Sequence, residues 1–180
     1  LNNDLIRPLD DLVKKHGKDL KKNQLITIDG KIMAVAFMAN AQHLVYRKDI
    51  LEKLNIDVPK TYEEMLAAAK KIRASGLIKN PVGGAYKAGW NLAQEFNNMF
   101  IGYGGSHFKG NSAEPNVNSD AGVKALKMMK SLSEYMNPDF LTHDSNATNA
   151  EFRAGNVAIM NMWGSRAATL VDADGVSMEV

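Results

Sequence analysis

The chain has 180 residues, 45% hydrophobic and 23% charged, with 22 basic against 20 acidic side chains and no cysteine. This is an ordinary globular composition, long enough for one domain and part of another. Interleaved charges summing to +2 argue against nucleic acid or an anionic membrane as partner; the missing thiols exclude disulfides and thiolate zinc sites, and no run approaches the ~20 apolar residues of a membrane span.

In chain order, Arg7-Pro8-Leu9-Asp10 opens a short helix whose apolar side is Leu9, Leu12 and Val13 and whose stop is Gly17. Leu25 to Ile28 lead to the turn dipeptide Asp29-Gly30, and Ile32–Phe37 is an apolar run of strand length. Met38-Ala39-Asn40-Ala41-Gln42 interrupts it with two amides before a second β-prone run, His43–Tyr46. A strand, a polar crossing and a second strand running into a helix describe a chain passing from one sheet to another. A short helix is expected over 49–54, and Thr61-Tyr62-Glu63-Glu64 reads as a capping box starting a helix that Gly76 ends.

Gly83 and Gly84 sit in a weak strand signal. A helix with Leu92, Phe96, Met99 or Phe100, and Tyr103 on one face follows, ended by Gly104-Gly105. Residues 106–118 are polar and suggest a small hairpin. Asn118 or Ser119 caps a long helix with a predicted stripe of Val123, Leu126, Met129 and Met136. Thr148-Asn149-Ala150-Glu151 reads as a second capping box, 157–162 as a strand, and 166–171 as a last helix. Strands alternating with helices predict an α/β sandwich with a largely parallel sheet. The chain opens at Leu1 and stops at Val180 in a β-prone stretch, so a piece of a longer protein is expected.

No Walker loop, GxSxG elbow or HExxH occurs. Gly102-Tyr103-Gly104-Gly105 follows a helix, so it reads as a helix stop rather than a dinucleotide fingerprint. His16, His43, His107 and His143 are scattered without metal-ligand spacing. Asp139, Asp144 and Glu151 read as surface caps rather than a carboxylate pair for glycoside chemistry. No cofactor and no metal is expected. The informative residues lie at strand-to-helix turns, where ligands collect in open α/β sheets. Three segments bring them: the crossing with Asn40; Gly89-Trp90-Asn91, with Glu95 one turn on; and Asn161-Met162-Trp163-Gly164-Ser165-Arg166, leaving the last strand. Aromatic planes beside amides, an arginine and a carboxylate suit a carbohydrate, whose C–H face stacks on the ring while its hydroxyls meet fixed polar partners.

The runs GKIMAVAF (30–37) and LVYRKDILEKLNIDVPKTYEEMLAAAKKI (44–72) resemble the hinge region of bacterial extracellular solute-binding proteins of ABC importers, the family-1 or maltose-binding-like group. NSDAGVKALKMMKSL (118–132) and AEFRAGNVAIMNMWGS (150–165) resemble that family's second signature. The resemblance implies a periplasmic-binding-protein-like (type II) lobe, an incomplete three-layer α/β/α sandwich. It divides the chain into a first-lobe remnant over 1–37, a hinge crossing over 38–42 and a second lobe over 43–180. It also implies capture of a sugar or polyol for an ABC permease, in the periplasm or outside the cell, with a lipid anchor in a Gram-positive source. Asn40 falls at a hinge position that often touches ligand, Trp163 on the stacking aromatic, and Trp90 more loosely in the loop before an inter-lobe helix.

Family members are about twice this long. About half a site is therefore expected, with weak sugar binding or none, and an unpaired Ile32–Phe37 edge that seeks a partner. The readings that compete with import are a sensory or regulatory binding module and, further off, a carbohydrate-active enzyme.

Overall fold

The computed structural model describes residues 5–166 and 169–170. It divides into two compact units, 1–40 and 41–180.

In the first unit, helix α1 (Asp10–His16) carries two aspartates in its first turn and basic residues in its last, the order that suits the helix dipole. Strands β1 (Leu25–Ile28) and β2 (Lys31–Val35) form an antiparallel hairpin. The turn is Asp29-Gly30, both at positive φ (50° and 75°), as a two-residue hairpin turn requires. This corrects the expectation that the strand after Gly30 lacks a sheet: its partner is the preceding segment, joined by the tightest connection a hairpin allows. Helix α1 is tied to β2 where Leu9 N–H donates to Ile32 O (2.7 Å) and Ile32 N–H to Asp10 Oδ1 (3.3 Å). Met33 is its buried hydrophobic residue. Ile26, Ile28, Phe37 and Met38 are exposed.

The second unit is built on a three-stranded sheet in the order β3 (Gln42–Tyr46), β5 (Ile159–Trp163), β4 (Val82–Gly83). The expected largely parallel sheet is in fact mixed. β4 runs parallel to β5, while β3 is antiparallel to it, with Gln42 opposite Trp163 and Tyr46 opposite Ile159. Helix α2 (Lys48–Lys53) follows β3 directly. Helices α3 (Tyr62–Ala74), α4 (Trp90–Gly102) and α5 (Asp120–Ser133) pack on one face through Met65, Ile72, Phe100, Met129, Leu132 and Ile159. The other face is covered through Val45, Phe152, Val157, Met160, Met162 and Leu170, with Phe152 supplied by α6 (Ser145–Arg153). Helices on both faces make the three-layer sandwich that the resemblance implies.

Several local expectations shift. Thr61 does accept from Glu64 N–H (3.1 Å), but the Glu64 carboxylate turns back to Lys60 N–H (2.7 Å) instead of Thr61, so only half the box forms. The second box is displaced. Helix α6 begins four residues early, capped by Asp144 accepting from Asn146 and Ala147 N–H, and Thr148 lies inside it. Thr148 is buried and its hydroxyl donates to Gly84 O (3.1 Å) and to Asp144 O (3.0 Å). Residues 106–118 contribute one bridge, Phe108 to Pro115. Gly164–Arg166 form a single 3-10 turn; of the expected helix over 166–171, residues 169–170 are helical and 167, 168 and 171 lie outside the described residues.

The largest correction concerns α5. Val123 and Leu126, expected inward, are 46% and 59% exposed, while Gly122, Ala125, Met129 and Leu132 are buried. The face is chosen by fit. A Cβ on Gly122 would meet the Val117 carbonyl oxygen at 2.0 Å, so the helix presents its smallest side chains where the backbone approaches closest. Gly122→Ala is expected to cost about 1–3 kcal/mol by overpacking, although alanine is the better helix former. Leu126→Ala is expected to cost under about 1 kcal/mol. Urea unfolding of the two variants checks the order, and the reverse order would mean the helix presents the other face.

Candidate functional site

The carboxyl ends of parallel strands β4 and β5 lie side by side, which is where an open α/β sheet gathers a ligand. Strand β4 leads through Gly84, Ala85 and Tyr86 to Gly89, at φ 106°, a backbone that side chains disfavour. Helix α4 starts at the next residue, Trp90. Strand β5 ends in Trp163, and Gly164 N–H then donates to Ala41 O (2.9 Å), turning the chain away. These two chain ends bring the indoles of Trp90 and Trp163 into a stack, with centroids 5.3 Å apart and planes 24° from parallel.

The rings belong to a crevice whose polar lining is Gln42, Asn91, Gln94, Glu95, Ser145 and Asn161. It encloses about 210 Å³ including its mouth, and none of that space admits a water-sized body. Asn91 is anchored, its Oδ1 accepting from Ser145 N–H (3.3 Å) at the start of α6. Glu95 forms the floor. It is 4% exposed, yet it carries a carboxyl group. Burial pushes its pKa up to about 7, against the opposing pull of hydrogen bonds from Ala85 N–H (3.4 Å) and the Asn161 amide. Asn161 also donates from Nδ2 to Tyr62 Oη (3.4 Å). Tyr62 is pushed up to about 12, first by burial and then by the Glu95 charge, and burial raises Tyr86 as well. Both phenols therefore stay protonated while Glu95 titrates.

Of the residues expected to bind, Trp90, Asn91, Glu95 and Trp163 line this crevice together. Gly164, Ser165 and Arg166 follow Trp163 in the 3-10 turn and are not among its lining residues. Arg166 is half-buried and donates from Nη2 to the Ser145 hydroxyl (3.2 Å), so its guanidinium braces the rim. Asp144 is held below its usual range mainly by the amides of Ala147 and Asn146, with Lys87 and Arg166 adding a smaller pull. Asn40 is exposed at the end of the first unit, and the crevice is built from second-unit residues alone.

Sequence reasoning missed Gln42, Gln94 and Ser145 as lining residues, and it placed Asn161 in a segment arriving at the site without naming it as a contact. Gln42 had a visible signal, as the amide that ends the crossing. Its place opposite Trp163 depends on the antiparallel pairing of strands more than a hundred residues apart, which no local pattern encodes. Among the described residues no group of three or more His, Asp or Glu side chains is placed to hold a metal, and no helix is long and apolar enough to cross a membrane.

The fold and this site define a lobe of a type II periplasmic binding protein. The model of the bacterial extracellular solute-binding protein family matches residues 2–179, and the chain belongs to that family. A "Probable ABC transporter-binding protein" of Deinococcus radiodurans is 31% identical over 159 residues, covering 84% of this chain and 37% of that protein. A solute-binding protein of Agrobacterium radiobacter K84, solved with ribitol, superposes with a TM-score of 0.81 at 28% identity, covering 98% of this chain and 46% of the other. The maltose-bound MalE3 of T. maritima has the same fold, with a TM-score of 0.80 at 24% identity and cover of 97% and 47%. The chain thus spans less than half the length of each of these proteins.

Glu95 makes stability depend on pH. Folded, the carboxyl keeps its proton to about pH 7, whereas a free glutamate gives its proton up near 4.5. The folded state therefore binds the extra proton, and its advantage is full below about pH 4.5 and lost as pH rises through about 7. Wild type is expected to lose up to roughly 3 kcal/mol across that window, while Glu95→Gln stays nearly flat. Urea unfolding of both proteins near the two ends of the window tests this; parallel profiles would place the ionisation elsewhere.

Proposed function

We propose that this chain carries a binding face of the substrate-binding component of an ABC import system, and that the face takes a sugar or polyol. The observation that carries the reading is the pair of indoles set among fixed amides and a carboxyl at the strand ends. Such a set satisfies both sides of a sugar, the apolar C–H face against an aromatic plane and the hydroxyls against oriented hydrogen-bond partners. Family membership supports the import role, as does the ribitol bound by the Agrobacterium protein.

Trp163 is the stacking platform in this reading. Trp90, Asn91 and Glu95 complete the contact, and Gly164, Ser165 and Arg166 supply the adjoining edge. Asn40 adds a polar contact from the hinge crossing 38–42, with 1–37 belonging to a first lobe and 43–180 to a second. The whole protein closes its lobes on the ligand and delivers it to a membrane permease, in the periplasm or outside the cell. It performs no chemistry on what it carries.

Thermal-shift and calorimetric titration with ribitol, mannitol and maltose test the proposal. At a hundredfold excess over Kd a ligand stabilises by about 2.7 kcal/mol, and that shift is expected for at least one of the three. Since the chain spans less than half of its solved relatives, the expected affinity is weaker than micromolar, short of about −8 kcal/mol. Trp163→Ala is expected to remove the shift. No shift with any neutral sugar or polyol up to its solubility limit would refute the assignment.

A further inference from the structure

The two indoles differ in how firmly they are held. Trp163 ends β5 paired opposite Gln42 of β3, and its ring is partly buried against the cluster of Val45, Phe152, Met160 and Met162. Its backbone is pinned further by the Gly164 N–H bond to Ala41 O. Trp90 is the first residue of its helix, follows Gly89 at φ 106°, and is 60% exposed. One ring is set by the core and the other stands at a helix end with solvent around it.

Their spacing excludes a sandwiched ligand. A ring held between two aromatic planes needs two carbon–carbon contact layers of ~3.5–4.0 Å each, so the planes must stand ~7–8 Å apart. The centroids are 5.3 Å apart, and the crevice that Gln42, Gln94, Glu95 and Asn161 share with the rings holds no usable space. An aromatic ring already occupies the contact that a sugar face would make.

We propose that the Trp90–Trp163 stack is a latch: Trp90 covers the face of Trp163 that receives the ligand, and binding proceeds from conformers in which Trp90 has swung off it. This rests on the sugar or polyol reading above. The latch costs affinity by population alone, because apparent affinity scales with the fraction of competent conformers. An aromatic stack of ordinary strength favours the closed form roughly two- to tenfold. Exposed side chains change rotamer far faster than ligand encounter, so the association rate is lowered by the same factor. Trp90 then has two opposed effects, slowing entry and holding a ligand already inside. Equilibrium affinity alone would blur these, so the test reads the association rate and the ring pair directly.

The experiment uses the 180-residue chain with ribitol and maltose as probes. Far-ultraviolet circular dichroism reads the exciton couplet of two stacked indoles, and stopped-flow fluorescence reads association. The latch requires a couplet in wild type that vanishes in both Trp90→Phe and Trp163→Phe and fades as a bound probe saturates. It also requires Trp90→Ala to associate roughly two- to tenfold faster than wild type. A wild-type spectrum equal to the sum of the two single-tryptophan spectra overturns it. So does a couplet untouched by saturating probe, or an unchanged association rate in Trp90→Ala. If no neutral sugar or polyol binds wild type or Trp90→Ala up to its solubility limit, the ligand reading fails and the displacement with it; a couplet that persists there separates that failure from the absence of a stack.

Discussion

Strand β5 is the constraint on which the second unit depends. It is hydrogen-bonded on both edges, to β3 on one side and β4 on the other, and Ile159, Met160 and Met162 are almost wholly buried. A strand covered on both faces reads as an unbroken apolar run, and Val157-Ala158-Ile159-Met160 is such a run. Asn161 breaks it. An amide in that position must find partners or cost about 1–3 kcal/mol as an unsatisfied group, and it finds two, the Tyr62 hydroxyl and the Glu95 carboxyl. The core strand thus becomes the wall of a polar site without leaving the sheet. Trp163 two residues later is where it reaches the surface.

Burial explains why the floor carboxyl stays largely protonated below about pH 7. An isolated carboxylate taken out of water is expensive, and the group relieves that cost by holding its proton. Glu95 has two amide donors, and they recover only part of what burial takes. The phenols around it are more reluctant still to ionise, so no second charge competes. A protonated carboxyl both donates and accepts, whereas a carboxylate only accepts. The same side chain can therefore meet a hydroxyl in either sense, which suits a ligand made of hydroxyl groups.

How much of this was legible follows the range of the interactions. Turn chemistry was readable: Asp29-Gly30 makes the hairpin turn, Ser119 caps α5 by accepting from Gly122 N–H (3.4 Å), and Gly76 takes positive φ. The rings at the strand ends were readable too, because a large aromatic beside a glycine is a poor way to end a core strand. Rotation of α5 about its axis was not. Val123, Leu126 and Met129 fit the helical period as well as Gly122, Ala125, Met129 and Leu132 do, and hydrophobicity favours the first set. The second is buried because the Val117 carbonyl, in the loop entering the helix, leaves no room for a Cβ at Gly122, and because Ala125, Met129 and Leu132 pack into the main core cluster, which depends on tertiary packing. Thr148 misled for the opposite reason. Its hydroxyl has the chemistry of a cap, but Asp144 lies one turn earlier and caps better, leaving Thr148 to bond the Gly84 carbonyl across the core.

Gly84 ties these observations to the site. Its carbonyl is held by Thr148 on α6, and the next residue, Ala85, sends its N–H to Glu95 on α4. Two adjacent residues of one loop thus clamp helices that bring opposite sides of the crevice, α4 with Trp90, Asn91 and Glu95, and α6 with Ser145. A side chain at Gly84 would meet Met136 at 2.6 Å and Tyr86 at 2.9 Å, so the loop also lacks room to move inward. With the loop fixed to the core, Trp90 lies just beyond the clamp, after Gly89. Asn91, Asn161 and Glu95 are held by hydrogen bonds and Trp163 by packing, whereas Trp90 is 60% exposed at the start of its helix.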